Sequence, residues 1–378
     1  MSASENNDLQ RTVFGGSPLI PPLESTASAT GHYLVVMEGA EPGKCLEVAD
    51  APVTIGRDAK QTFVVVGDTQ ISRQHARVSL VNGGVVAEDL GSTNGTFTGS
   101  QRITQPTVLT EGQLLRVGQQ ILRYERRNRR DVKRGEELNR DLRKANSYVL
   151  SLLPPPITAG PVRVDWYFQP SAQLGGDAFG YDWLDSETFV FYLMDVSGHG
   201  VGAAMHSVTV MNVFRQRALP GIDFTRPADV LASLNARFPM DLHNSLYFTI
   251  GYGVYHTVSR TLTYSSGGHN PAFLVPPGKN ASQPLGLPGL MIGAIPDQTY
   301  DVQETIVPPG TRLYLFSDGV FEIATDEKTW MLDDFLPLLL EPPVDGLSEP
   351  ARLFQRVKQA AKAGPLDDDF SLMTVTFL

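Results

Sequence analysis

Acidic residues recur in four short segments of the second half of the chain. They are Gly175-Gly176-Asp177, Met194-Asp195-Val196-Ser197-Gly198-His199-Gly200, Phe316-Ser317-Asp318-Gly319 and Asp367-Asp368-Asp369-Phe370-Ser371. Three follow or end an apolar run that reads as a strand, and the fourth precedes one. Carboxylates so placed point into a shared pocket at a sheet edge. They repel one another there unless cations neutralise them. Oxygen ligands without accompanying cysteines favour hard ions, Mg2+ or Mn2+, over Zn2+. A pair of such ions can share one water, lower its pKa and direct it at a phosphoryl group. The residues alone therefore suggest metal-assisted hydrolysis of a phosphate ester.

A second constellation lies in the first half. Its pieces are Gly56-Arg57, Ser72-Arg73-Gln74-His75-Ala76 and Asp89-Leu90-Gly91-Ser92-Thr93-Asn94-Gly95-Thr96. Arginine offers a planar fork of donors that suits a phosphate dianion. Ser, Thr and Asn add neutral donors, and the glycines let backbone come close. No acid, base or nucleophile set accompanies them, so binding is the simpler reading.

The elements that must position these residues can be traced along the chain. At about 150 residues per domain, 378 residues suggest two domains or three. Residues 1–30 show no periodicity and read as a disordered tail. Over 31–124, short β-branched runs alternate with turn signals, and Asn82-Gly83 between two of them predicts a hairpin. Many short strands without a clear helix indicate an all-β sandwich. From Arg123 to Lys144, ten basic residues face five acidic ones. Leu138, Leu142, Ala145, Val149 and Leu152 fall at heptad spacing, which predicts a linker helix over 125–153. Docking of that helix on its own domain and a homodimer through 135–153 explain the seam equally well. Pro154-Pro155-Pro156 stops it.

The remainder, 154–378, mixes strands and helices. Strands are predicted at Val162–Gln169, Thr188–Asp195, Leu246–Tyr255, Thr261–Ser265, Arg312–Ser317 and Phe370–Phe377, and helices at Gly200–Arg217, Pro227–Phe238 and Ala351–Ala363. Segments 271–290 and 341–350 read as Pro/Gly-rich loops. The net charge of −10 argues against nucleic acid as the main partner. No apolar run approaches the length of a membrane span, and the start lacks a secretory pattern. The single cysteine, Cys45, excludes an intrachain disulfide and suits a reducing cytosol.

Residues 31–124 closely resemble the forkhead-associated (FHA) domain, a phosphothreonine reader, with all three motif blocks in order. The resemblance implies that Arg57 and Ser72 hold the phosphate and Arg73 adds charge. It assigns Thr93 and Asn94 to the phosphate and the peptide backbone, and His75 to propping the loop. Residues 146–378 resemble the metal-dependent Ser/Thr protein phosphatases (PPM superfamily), and within them the bacterial SpoIIE/RsbU type. The resemblance includes Tyr148 to Pro154, Gly267-Gly268-His269-Asn270-Pro271 and the stretch Gln283 to Ala294. It implies an α+β domain of four layers, α-β-β-α, holding two or more Mn2+ or Mg2+ ions.

By position, Asp195 would bridge both metals and the Val196 carbonyl would complete one of them. Asp318 and Asp368 would bind the second, with Asp369 as the rival of Asp368. Asp177 would orient metal-bound water or bind a further ion. Gly198, Gly267 and Gly268 are expected to permit close backbone approach, and Asn270 to hold a loop. His199 is weighed as a general acid against a residue leading into a helix. Ser197 is weighed as a nucleophile against a helix N-cap, the cap being preferred because no base is assigned to it. One departure stands out. After Gly-Gly-Asp the family shows two aromatics and an acidic residue, whereas here Ala178-Phe179-Gly180 follows and Asp182 lies beyond.

The expected protein is thus a cytoplasmic bacterial signalling phosphatase acting on phosphoserine or phosphothreonine proteins. Its FHA domain would bind a phosphothreonine protein, a kinase or its target, for recruitment or for gating. The alternative is a phosphopeptide-binding scaffold with an inactive phosphatase half. Neither nucleic acid nor membrane is an expected partner.

Overall fold

A computed structural model describes residues 30–278, 281–362 and 364–378, so the tail expected over 1–30 lies outside the described residues except for Thr30. The chain divides into two compact units, with the boundary between Leu138 and Asn139.

The first unit is built from β1 (Thr30–Glu38), β2 (Cys45–Val48), β3 (Val53–Gly56), β4 (Phe63–Val64), β5 (Ala76–Val81), β6 (Gly84–Asp89), β7 (Thr96–Thr98), β8 (Gln101–Arg102), β9 (Thr107–Leu109), β10 (Leu114–Val117) and β11 (Gln120–Asn128). They form two sheets, ordered β2-β1-β11-β10-β7-β8 and β4-β3-β5-β6-β9. Alternate side chains from both, including Leu34, Val36, Ile55, Val78, Ala87, Leu115 and Leu122, fill one buried core. The predicted hairpin is present. Asn82 and Gly83 both adopt positive φ, 51° and 78°, and join β5 to β6. That is the pairing of dihedrals that matches the strand twist.

Helix α1 (Arg129–Leu152) crosses the unit boundary. It starts later than expected because β11 continues to Asn128, held by its pairing with β1 from Thr30 onward. No residue of α1 is buried, but of the heptad seam Leu152 packs against the core of the second unit and Leu142 and Val149 are half-buried, while Leu138 and Ala145 stay exposed.

The second unit begins with β12 (Val162–Gln169), β13 (Ala178–Trp183), β14 (Thr188–Val196), α2 (Val201–Arg215) and α3 (Pro227–Arg237). It continues with β15 (Phe248–His256), β16 (Thr261–Gly267), β17 (Ala272–Val275), β18 (Gln283–Leu285), β19 (Gln303–Ile306) and β20 (Thr311–Phe316). It ends with α4 (Leu332–Phe335), α5 (Glu349–Ala360) and β21 (Phe370–Phe377). Two five-stranded sheets result, β12-β21-β20-β17-β18 and β13-β14-β15-β16-β19. Leu313 and Leu315 face the opposing sheet, while Tyr314 and Phe316 face α4 and α5. Helices α2 and α3 cover the outer face of the second sheet. With α5 on β12 and β21, the layers are α-β-β-α. Strand β14 is buried on both faces, and so it reads as an unbroken apolar run rather than an alternating one. Each fully buried Phe or Leu contributes about 1.5–3 kcal/mol relative to exposure.

The segment 271–290 was expected to be loop but carries β17 and β18. Ala272–Val275 pairs with β20, and β18, with Pro284 at its centre, pairs with β17 at the sheet edge, where a proline is tolerated. The first acidic segment follows β12, at the bounds expected, and leads directly into β13, a strand the sequence reading did not predict.

Candidate functional site

Antiparallel pairing brings the acidic segments together. Phe316 lies opposite Leu372 in the β20–β21 pair, and the Ser317 amide donates to the Ser371 carbonyl at 3.0 Å. Asp318 and Asp368 therefore leave the same sheet edge. Asp195 stands at the matching end of β14, opposite Thr249 of β15. A cavity of about 400 Å³ results, lined by Asp195, Val196, His199, Tyr247, Asp318 and Asp368 among others. Asp177 is buried beneath it, and its Oδ2 has no hydrogen-bond partner.

The electrostatics follow from burial and like charge. Burial, then Asp195 and Asp369, hold the Asp177 carboxyl well above its ordinary pKa. Burial, then Asp318 and Asp368, push Asp195 up to about 7. Burial is also the first cause of the raised values of Asp318 and Asp368. Among the described residues, no three acidic or imidazole groups converge closely enough to hold an ion as they stand. The donor set still fits a hard divalent cation: the ligand atoms are oxygens, their charges are mutually unfavourable, and one buried carboxylate oxygen is unpaired.

Asp369 and Asp368 separate cleanly. Adjacent residues at a strand start point to opposite sides. Asp368 faces the cavity. Asp369 is 4% exposed and turns inward. Its Oδ1 accepts from the Ser171 amide at 2.8 Å and the Ser171 hydroxyl at 3.1 Å, and its Oδ2 accepts from the Gly176 amide at 2.7 Å. It ties the 171–177 loop to β21, which the motif frame alone did not reveal. Ser207 of α2, also missed in the sequence, donates to the Gly176 carbonyl.

Ser197 is not a helix cap. Its hydroxyl accepts from the Tyr247 amide at 3.2 Å, and the residue capping α2 is Gly200. Gly198 has φ +81° with open space where a Cβ would stand, so conformation rather than close approach requires glycine. At Gly268 approach matters as well, since a Cβ would lie 2.8 Å from the Met291 amide. His199 is exposed at the cavity rim beside Asp368, whose carboxyl it favours in the ionised form. Asp182 lies away from the cavity on β13 and pairs with Arg217 at 3.0 Å.

In the first unit, Arg57, Ser72, Arg73, Thr93 and Asn94 line one cavity of about 550 Å³. The loops are preset by buried hydrogen bonds. His75 is fully buried; its Nδ1 accepts from the Ser72 amide at 3.1 Å, and its Nε2 meets the Gly95 carbonyl at 3.1 Å. Asp89 accepts from the Ser92 hydroxyl at 2.6 Å and the Thr96 hydroxyl at 2.7 Å. Burial opposes its charge, but these bonds outweigh it and hold the carboxyl below the ordinary range. The Thr93 amide donates to Ser72 Oγ at 3.1 Å. Among the described residues, Arg57 and Arg73 make no ion pair, and both are exposed.

Comparison with known proteins agrees with this division. Residues 185–378, just over half of the chain, match the model of stage II sporulation protein E (SpoIIE), and residues 53–118 match the FHA domain. The phosphoserine phosphatase RsbU of Bacillus subtilis is 27% identical over 206 residues, 54% of this chain and 60% of RsbU. The FHA domain-containing protein FhaB of Mycobacterium tuberculosis H37Rv is 39% identical over 87 residues, 23% of this chain and 56% of FhaB. The chain thus spans 60% or less of the length of either relative. The SiaA-PP2C domain of Pseudomonas aeruginosa shares the fold, with a TM-score of 0.55 at 18% identity, over 65% of this chain and 98% of that domain. The four-layer unit and its SpoIIE match, preceded by a sandwich that matches the FHA domain, place this chain in the SpoIIE family.

Proposed function

We propose that the chain is a metal-dependent protein serine/threonine phosphatase of bacterial signalling whose FHA domain binds a phosphothreonine protein. The observation that carries this reading is the meeting of Asp195, Asp318 and Asp368 in one cavity above the unpaired Oδ2 of Asp177. A pair of Mn2+ or Mg2+ ions, when bound, would polarise the phosphoryl group and acidify water. Asp177, Asp195, Asp318, Asp368 and the Val196 carbonyl are the residues that would hold them. Asp369 acts one step back, fixing the loop that carries Asp177. The reaction adds water across the bond between phosphorus and the seryl or threonyl oxygen. At the FHA cavity, Arg57, Ser72 and Arg73 would take the phosphate, and Thr93 and Asn94 the peptide. That domain would recruit the substrate or gate the enzyme through α1. No helix among the described residues is long and apolar enough to cross a membrane.

The rival reading is the inactive phosphopeptide scaffold. The test is hydrolysis of p-nitrophenyl phosphate and a phosphothreonine peptide with Mn2+, Mg2+ or EDTA, beside Asp195→Ala. Metal-dependent turnover lost in the variant supports the phosphatase. No turnover, together with no Mn2+ binding by calorimetry, establishes the scaffold.

A further inference from the structure

The outer face of α2 lacks the charges a solvated helix normally carries. Its one formally charged residue is Arg215, at the far end. Val201 and Met205, one turn apart on one face, are 54% and 62% exposed. His206, next to Met205, packs on His243 with ring centroids 5.3 Å apart, which seats the turn Met240–Leu242 against this end of α2. That turn presents Leu242 at 80% exposure. The Met240 amide in turn donates to the Gly293 carbonyl at 3.0 Å, which fixes the segment bearing Met291 and Ile295 beside it. Met291 is a wall of the catalytic cavity, and Ile295 is exposed. The other end of the patch also reaches the cavity, because Gly198 and His199 line it and lead into α2.

Exposed Val201, Met205, Leu242 and Ile295 therefore lie on segments joined to one another and to the acidic cavity, whose wall includes Met291, and together they give it an apolar flank. Exposed apolar patches of this kind mark contact surfaces, and methionine side chains reshape easily around a partner. A phosphoester entering the cavity carries its own polypeptide across whatever borders the opening.

We infer that this surface is the docking face for the phosphoprotein substrate, and that it selects apolar residues flanking the phosphorylated side chain. The inference rests on the phosphatase reading and deepens it.

Two phosphoserine peptides that differ only in their flanks, one Leu/Val-rich and one Ser/Gln-rich, provide the test. The full chain is assayed with Mn2+, with p-nitrophenyl phosphate as a substrate too small to reach that surface. We expect kcat/KM to favour the apolar peptide by about tenfold. Met205→Asp and Leu242→Ser should each erase that preference while the small ester is turned over within about twofold of wild type. Both positions are exposed, so neither change disturbs the core, and an acidic residue early in a helix is tolerated. Equal use of the two peptides, or a preference that survives both substitutions, overturns the inference. So does a wild-type dimer that Met205→Asp converts to monomer in sedimentation, since a second copy would then cover the surface. Should no substrate turn over, Mn2+ binding by calorimetry decides the phosphatase reading separately, and fluorescence anisotropy of the same peptides decides the docking face. Tighter binding of the apolar peptide, lost in both variants, upholds it, and equal binding rejects it.

Discussion

The two cavities are both suited to phosphate, yet they are chemical opposites. The FHA cavity offers donors: two exposed arginines without ion pairs, hydroxyls and amides. The phosphatase cavity offers acceptors, carboxylates that burial and like charge drive toward their neutral forms. Donors meet a phosphate dianion directly and leave it intact. Carboxylates repel it and can address it only through cations, which also activate water. The sign of the lining charge thus separates reading a phosphate from removing one.

Breaking either side of this contrast should leave the other standing. The largest effect is expected from Asp195→Ala. Metal-dependent hydrolysis should fall by more than about 10³-fold, while phosphothreonine-peptide affinity, read by fluorescence anisotropy, stays unchanged. Asp369→Ala removes the tie between the 171–177 loop and β21. We expect a loss of about 1–3 kcal/mol in stability by urea titration and of about 10–100-fold in metal affinity by calorimetry. Arg57→Ala should weaken phosphothreonine-peptide binding by about 10–100-fold without altering p-nitrophenyl phosphate turnover.

The contrast can also be sharpened by pH. A carboxyl whose folded pKa is raised contributes stability below its unfolded pKa and loses it as pH rises through the folded value. For Asp195 that upper limit is about 7. Metal-free protein should therefore melt higher at pH 6.5 than at pH 8, and Mn2+ should stabilise it more at pH 8, both read by calorimetry. Burial lowers His269 to about 4 and also lowers His206, so both oppose the trend at pH 6.5, within the ordinary histidine range, and the Asp195 share is read as the part of the pH difference that Asp195→Asn removes. The smallest effect is expected at the linker. Leu138 on α1 is exposed, so Leu138→Ala should change stability by less than about 0.5 kcal/mol. A several-fold larger loss in urea titration would reveal a partner helix on the heptad face.

Much of this was legible in the chain. Asn82-Gly83 marked its hairpin because only a few residue types adopt both required dihedrals. The four acidic segments named Asp195, Asp318 and Asp368 correctly as neighbours, because each sits at a strand end where side chains must converge. What stayed hidden depends on tertiary pairing. Ser197 looked like a cap because it precedes a helix, but the amide of Tyr247, just before β15, claims its hydroxyl. Asp369 looked like a ligand because the motif frame does not tell which of two adjacent aspartates faces inward. β17 and β18 hid among prolines because pairing of β17 with β20, and of β18 with β17, rather than local propensity, makes them strands.

The tie made by Asp369 has a bearing on synthesis. Gly176 and Asp369 stand 193 positions apart, and β12 pairs along its whole length with β21. At about 5–20 residues per second, the ribosome adds the second partner about 10–40 s after the first. A nascent chain halted before β21 already holds Asp177 beside Asp195 through the β13–β14 pairing, but it lacks Asp368 and the strand that β20, leading into Asp318, pairs with. The carboxylate cavity is thus timed by translation: the FHA sandwich can fold early, whereas the proposed metal site is complete only once Asp368 and β21 have been added.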